Sequence, residues 1–148
     1  MTDQGTMQYF EDLSIGDSWE PGSVTFTKEE IIEFARRYDP QPFHLDDTAG
    51  ERHFEGVIAS GWHTAAACMR PFAEAVLTDV AIIAALGIEN LVWRRAVRPG
   101  DTLAISVTLH DKQPWDDGRG QVTFKLVAKN QADERVHSRL DHVLVERA

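Results

Sequence analysis

The chain has 148 residues, 43% of them apolar and 26% charged, ordinary proportions for a globular protein. A domain of that size buries roughly 68–70% of the surface its unfolded chain exposes, so a full core is attainable and one domain over 1–148 is expected. A formal net charge of −9 excludes general nucleic-acid binding, and no apolar run reaches the about 20 residues that a membrane-spanning helix requires.

The opening segment, MTDQGTMQYFEDL, lacks the basic-then-apolar order of a secretory signal, so a cytoplasmic protein is expected. Residues 9–20, with Asp12, Gly16 and Asp17 and then Pro21-Gly22, read as a loop with a short strand around Trp19–Phe26. Thr27 and Glu30 form a T-x-x-E capping box, which satisfies two orphan backbone donors at a helix start. Ile31, Phe34, Ala35 and Tyr38 then share one helical face. Pro40 ends this helix, because a proline drives the preceding residue out of the α region. That residue is Asp39, delivered in extended conformation to the start of a loop.

Residues 40–59 read as irregular, broken by Pro40, Pro42, Gly50 and Gly56. A second helix starts near Ser60-Gly61 and carries Trp62, Ala65, Ala66, Met69, Phe72, Ala73 and Val76 at helical spacing. Its many alanines and few charges predict burial on most sides, with a kink or restart at Pro71. Residues 79–86 read either as more helix or as a packed loop, closed by Gly87. The remainder reads as β: a strand over Ile88–Val97, a clean alternation at Leu103, Ile105, Val107 and Leu109, another at Val122, Phe124 and Leu126, and a last strand over Val136–Val145. Turns fall at Pro99-Gly100-Asp101, Asp116-Asp117-Gly118 and Asn130 to Glu134. Short connections predict antiparallel neighbours, and an apolar helix beside one antiparallel sheet predicts an α+β domain with the sheet curled round a central helix.

Two stretches could carry chemistry. In Asp39-Pro40-Gln41-Pro42-Phe43-His44, a carboxylate and an imidazole stand five residues apart in a loop stiffened by two prolines, an arrangement suited to holding one water between two proton acceptors. An acid and a histidine at this spacing also arise by chance as a surface ion pair; the surrounding prolines and aromatics favour a desolvated loop. In Phe54-Glu55-Gly56-Val57-Ile58-Ala59-Ser60-Gly61-Trp62-His63-Thr64, a glycine at a helix N-terminus lets a ligand approach backbone donors that favour an anion or a polarised carbonyl. Taken alone, the same stretch reads as an N-cap serine and a glycine of close packing. His63 reads as a packing or pocket-lining residue. Arg94, Arg95 and Arg98 read equally as phosphate ligands or as the solvated side of a strand. His44, His53 and His63 match no short metal-ligand spacing and no cysteine assists them, so no metal is expected. Cys68, the sole cysteine, lies in an apolar run that predicts packing and offers no activating neighbour.

The sequence resembles the MaoC-like dehydratase family, relatives of the (R)-specific enoyl-CoA hydratases. Their motif D-x-N-P-x-H corresponds to D-P-Q-P-F-H, Asp39 to His44, with Gln41 at the asparagine position. The likeness extends to the helix entry VIASGWHT, to Tyr9–Leu13 with Gly16-Asp17, and to Val97–Leu103. It implies a hot-dog fold, usually homodimeric or a higher homo-oligomer, acting on an acyl-CoA thioester without metal or redox cofactor. It further implies that Asp39 and His44 activate the water that adds across the 2,3 double bond. The Gly61 N–H would polarise the thioester carbonyl, with Ser60, Gln41, Trp62 and His63 around the substrate and Arg94, Arg95 and Arg98 toward CoA. Some of these hydratases carry a serine in the central helix where Met69 stands here. A hot-dog thioesterase and a non-catalytic acyl-thioester-binding protein are the alternative readings.

Overall fold

A computed structural model describes residues 6–148. Five strands form one antiparallel sheet: β1 (Ser18–Thr25), β2 (Ile82–Trp93), β3 (Thr102–Pro114), β4 (Arg119–Lys129) and β5 (Arg135–Glu146). Their order across the sheet is β1-β3-β4-β5-β2. The alternation read in the sequence sets the sidedness. Leu103, Ile105, Val107 and Leu109 on β3 are fully buried, as are Val122, Phe124 and Leu126 on β4, while Ala104 and Thr108 between them are exposed. Strands β3, β4 and β5 follow one another as hairpins through the predicted turns. Strands β2 and β3 do not pair: β2 takes the far edge beside β5 and β3 lies next to β1. Their connection, residues 94–101, passes under the helices instead, where Ala59 N–H donates to Val97 O at 2.9 Å and Gly100 N–H to Phe26 O at 2.7 Å.

Helix α1 (Lys28–Tyr38) starts where the capping box predicts: Glu30 N–H donates to Thr27 Oγ1 at 3.1 Å. The return contact differs, since the Thr27 hydroxyl donates to the Glu30 carboxylate at 2.8 Å. Helix α2 (Asp47–Phe54) corrects the irregular reading of residues 40–59. Asp46 caps it by accepting from Ala49 N–H at 2.8 Å, and Gly50, taken for a breaker, sits inside it. A Cβ on Gly50 would lie 1.9 Å from the Gly56 carbonyl oxygen, so that glycine serves the close crossing of the chain that follows.

Helix α3 (Gly61–Ala75) lies on the sheet and holds Pro71 within it without restarting. One face is buried through Thr64, Ala65, Cys68, Pro71 and Phe72, and Phe72 meets Phe124 edge-on at 5.4 Å. The other face is open at Trp62, Ala66, Arg70 and Glu74, so burial on most sides is not observed. Cys68 is fully buried, which pushes its thiol up to about 11. Of residues 79–86, read as helix or packed loop, Asp79 ends a 3-10 turn over Leu77–Asp79, whereas 82–86 belong to β2. Register shifts between Ile82 and Ala84, Ala85 and Gly87, and Glu89 and Val92 break the period of two by which strands are recognised. Among the described residues no helix is long and apolar enough to cross a membrane.

Candidate active site

Asp39 is the C-cap of α1, with φ −152° and ψ 69°, driven out of the α region by the following proline but short of the extended conformation expected. The chain then makes one 3-10 turn over Pro42–His44, which swings the imidazole back toward the helix end. Asp39 Oδ2 and His44 Nε2 stand 3.4 Å apart, and His44 is 5% exposed. His44 Nδ1 lies 2.8 Å from the Ile58 carbonyl, which can only accept, so Nδ1 carries the proton. That bond turns Nε2 toward the Asp39 carboxylate, across a gap that a shared proton or a water would bridge.

Asp39 is itself held. The Ser60 hydroxyl donates to Oδ2 at 2.6 Å and Gln41 Nε2 donates to Oδ1 at 2.7 Å. The Ser60 bond, then that of Gln41 and the charge of His44, keep the carboxyl below its ordinary range against the opposing effect of burial. Ser60 also caps α3, its oxygen accepting from Trp62 N–H at 3.2 Å. One fully buried hydroxyl thus ties the acid to the first turn of the central helix.

Asp39, His44, Gln41, Gly61 and Trp62 line one cavity of about 380 Å³, together with Thr64, Trp93, Arg94 and Arg95. Ser60 lies behind its wall, holding Asp39. His63 points elsewhere: it stacks on Phe34 at 4.9 Å, meets Phe26 edge-on, and opens on a larger groove of about 740 Å³ along α1. Burial lowers its pKa, and its Nδ1 is buried without a hydrogen-bond partner among the described residues. His53 lies exposed on α2, so His44, His53 and His63 do not converge. The arginine group also divides. Arg98 does not line the cavity but donates from Nε to the carbonyl of Phe54, which does, at 3.2 Å, and Arg95, a lining residue, pairs through Nη1 with Glu134 at 3.0 Å.

Trp93 is the residue that sequence reasoning missed. A Cβ on Gly61 would fall 2.5 Å from Trp93 Cε2, so the indole itself demands the glycine that the sequence suggested for a ligand's approach. Trp62 meets the same indole edge-on at 5.2 Å. Beneath it lies His137, stacked at 6.3 Å, and then Arg139. Arg139 is 3% exposed and donates to Asp141 Oδ1 at 2.8 Å, Ala65 O at 2.9 Å and His137 Nε2 at 3.0 Å. Burial, then the Arg139 charge, pushes the His137 pKa down to about 4. This satisfied polar network fixes the wall that Trp93 presents to the cavity. Nothing local in the sequence signals it, because its members come from β2, α3 and β5.

Residues 12–131 match the MaoC like domain family. The Bacillus subtilis protein YdeM, uncharacterised, is 31% identical over 93% of this chain and 98% of its own length. A MaoC-like dehydratase from Rhodospirillum rubrum is 37% identical with a TM-score of 0.87, covering 95% of this chain and 98% of that one. A structure described as a monoamine oxidase regulatory protein from Archaeoglobus fulgius is 31% identical with a TM-score of 0.91, and covers 97% of each chain. The fold is that of a Mycobacterium tuberculosis protein with a double hotdog fold (17% identical, TM-score 0.76, 96% of this chain and 45% of that one). An R-hydratase from Pseudomonas aeruginosa also shares it (23% identical, TM-score 0.76, 95% and 86%). The arrangement of five antiparallel strands around α3 is therefore the expected hot-dog fold.

Proposed function

This chain belongs to the MaoC-like dehydratase family, and from that premise we propose that it adds water to, or removes it from, the 2,3 bond of an enoyl-CoA thioester in the cytoplasm. The observation that carries the reading is the 3.4 Å approach of Asp39 Oδ2 and His44 Nε2 on the wall of a cavity that also holds Gly61. In hydration, a water held between the two acceptors loses a proton to His44 Nε2 as its oxygen attacks C3. Asp39, ionised and anchored by Ser60 and Gln41, accepts the water's second hydrogen and stabilises the imidazolium that forms. Charge moving onto the thioester oxygen meets the Gly61 N–H, an amide at the start of α3 that the Ser60 cap leaves free. The imidazolium then returns its proton to C2. Dehydration runs the same steps backward, with neither metal nor redox cofactor.

The test assays the purified protein against 2-enoyl-CoA esters of varied chain length, following loss of the conjugated thioester absorbance. Asp39→Asn and His44→Ala each lower turnover at least roughly hundredfold, the lower end of what positioned acid–base groups contribute, with the fold intact. Unchanged turnover in either variant overturns the assignment. A thiol-reactive dye reports the rival outcome, since only a thioesterase releases free CoA; ester binding without turnover would mark a non-catalytic binding protein.

A second copy of the chain completes the proposal. Among the described residues strand β2 pairs only with β5, and its open edge carries Ile83, Leu86, Ile88 and Val92, each at least 36% exposed, beside Trp62 and Trp93. A 12-residue edge strand this apolar is a template for pairing with another chain, and an antiparallel β2–β2 contact would cover it in a homodimer.

A further inference from the structure

Thr64 is 2% exposed and lines the cavity of Asp39 and His44. Among the described residues its hydroxyl takes part in no hydrogen bond, and the sole side-chain polar atom sealed from solvent without a partner is His63 Nδ1. The Thr64 oxygen is therefore not sealed: the little surface it keeps opens on the cavity. A threonine hydroxyl near a helix readily turns back onto a carbonyl one turn earlier, as that of Thr78 does to Glu74 O at 3.0 Å. That of Thr64 does not join Ser60 O, which accepts the Thr64 N–H at 3.1 Å. Of the other buried hydroxyls, Ser60 is bonded to Asp39 and Thr123 to His142, and Ser138 lines a different hollow.

Side chains on an α-helix lean toward its N-terminus and cover the preceding turn, so Thr64, three residues after Gly61 on α3, leans toward the Gly61 amide. We propose that Thr64 is a further catalytic residue, whose hydroxyl donates to the thioester oxygen beside the Gly61 N–H. Two donors, not one, then receive the charge that reaches this oxygen when water attacks C3. The proposal rests on the hydratase reading and adds a donor to its site. Asp39 and His44 approach from the end of α1 and the turn after it, where they hold the water, whereas Thr64 shares α3 with the amide that meets the carbonyl. Its neighbours along the cavity wall include the buried Ile58, Ala59 and Val97. Among such apolar groups a donor aimed at developing charge counts for more than it would in water.

The experiment uses Thr64→Val, which keeps the branched shape and removes the hydroxyl, and Thr64→Ser, which keeps the hydroxyl. On the 2-enoyl-CoA ester that turns over fastest, Thr64→Val lowers kcat at least roughly tenfold with a smaller change in KM, because the bond strengthens as charge reaches the oxygen. Thr64→Ser restores most of that kcat. The melting temperature of Thr64→Val does not fall, since no protein group loses a hydrogen bond. Infrared difference spectra of 2-butenoyl-CoA, labelled with carbon-13 at its carbonyl and bound to His44→Ala protein, need no turnover. The carbonyl band lies at lower frequency than in water, and adding Thr64→Val moves it back up. Unchanged kcat in Thr64→Val, a loss of turnover only in step with a lowered melting temperature, or a carbonyl band that the substitution leaves in place overturns the proposal. If no enoyl ester turns over at all, the hydratase reading fails while the carbonyl band still decides this one.

Discussion

Replacing Ser60 with alanine separates the two tasks of one hydroxyl. Its oxygen caps α3 through Trp62 N–H, and its hydrogen goes to Asp39 Oδ2 at 2.6 Å. Losing an N-cap serine costs about 1 kcal/mol, and losing a hydrogen bond to a charged group costs about 1.5–3 kcal/mol. Ser60→Ala should therefore destabilise the protein by about 3 kcal/mol, lowering the melting temperature by roughly 6–12 °C at about 2–4 °C per kcal/mol for a chain of this size. The second readout is the acid limb of kcat/KM. The Ser60 bond is the leading cause that holds Asp39 below its ordinary pKa, so removing it raises that pKa and moves the acid limb to higher pH. The assays are thermal unfolding and a pH–rate profile on the best enoyl-CoA substrate. A loss of only about 1 kcal/mol with an unmoved acid limb would make Ser60 a helix cap alone, and the coupling of acid to helix would be refuted.

Three further outcomes follow from particular contacts. Gly61→Ala places a methyl 2.5 Å from the Trp93 ring and should cost about 1–3 kcal/mol; in a Trp93→Ala background the same change should cost almost nothing, and additive losses in urea unfolding would deny the contact. His137, fully buried, has its pKa depressed from 6.5 to about 4, so its contribution is present above pH 6.5 and is lost as pH falls toward 4, because the unfolded chain takes up the proton first. Urea unfolding should show about 3 kcal/mol less stability at pH 4 than at pH 6.5 from this group, and His137→Gln should flatten that slope. Ile88→Lys on the open edge of β2 should convert a dimer to a monomer in sedimentation while leaving the circular dichroism of the fold intact; a wild-type monomer would refute the pairing.

Much of the fold is legible because its signals are local. The Thr27 cap of α1, the proline that stops the helix at Asp39, the alternation on β3 and the hairpin turns each depend on residues within a few positions of one another, and each appears where it was read. The elements that escaped reading lack such a period. The start of β2 is interrupted by register shifts and exposed on one side, and α2 contains a glycine that only the crossing of Gly56 explains. The link from β2 to β3 is as short as a hairpin, but the sheet order places β5 and β4 between them.

For the candidate site, the sequence alone singled out Asp39, His44, Ser60 and Gly61, since spacing, proline and helix entry are all written in the chain. Only the tertiary structure decided how they act together. The Ser60 bond to the acid, the Ile58 carbonyl that sets the tautomer, the indole of Trp93 against Gly61 and the turning away of His63 all join residues that are distant along the chain or depend on rotamers. Local pattern fixes which backbone a segment adopts. Which side chains meet across segments is set by the packing of helix on sheet, and no single stretch of sequence contains that.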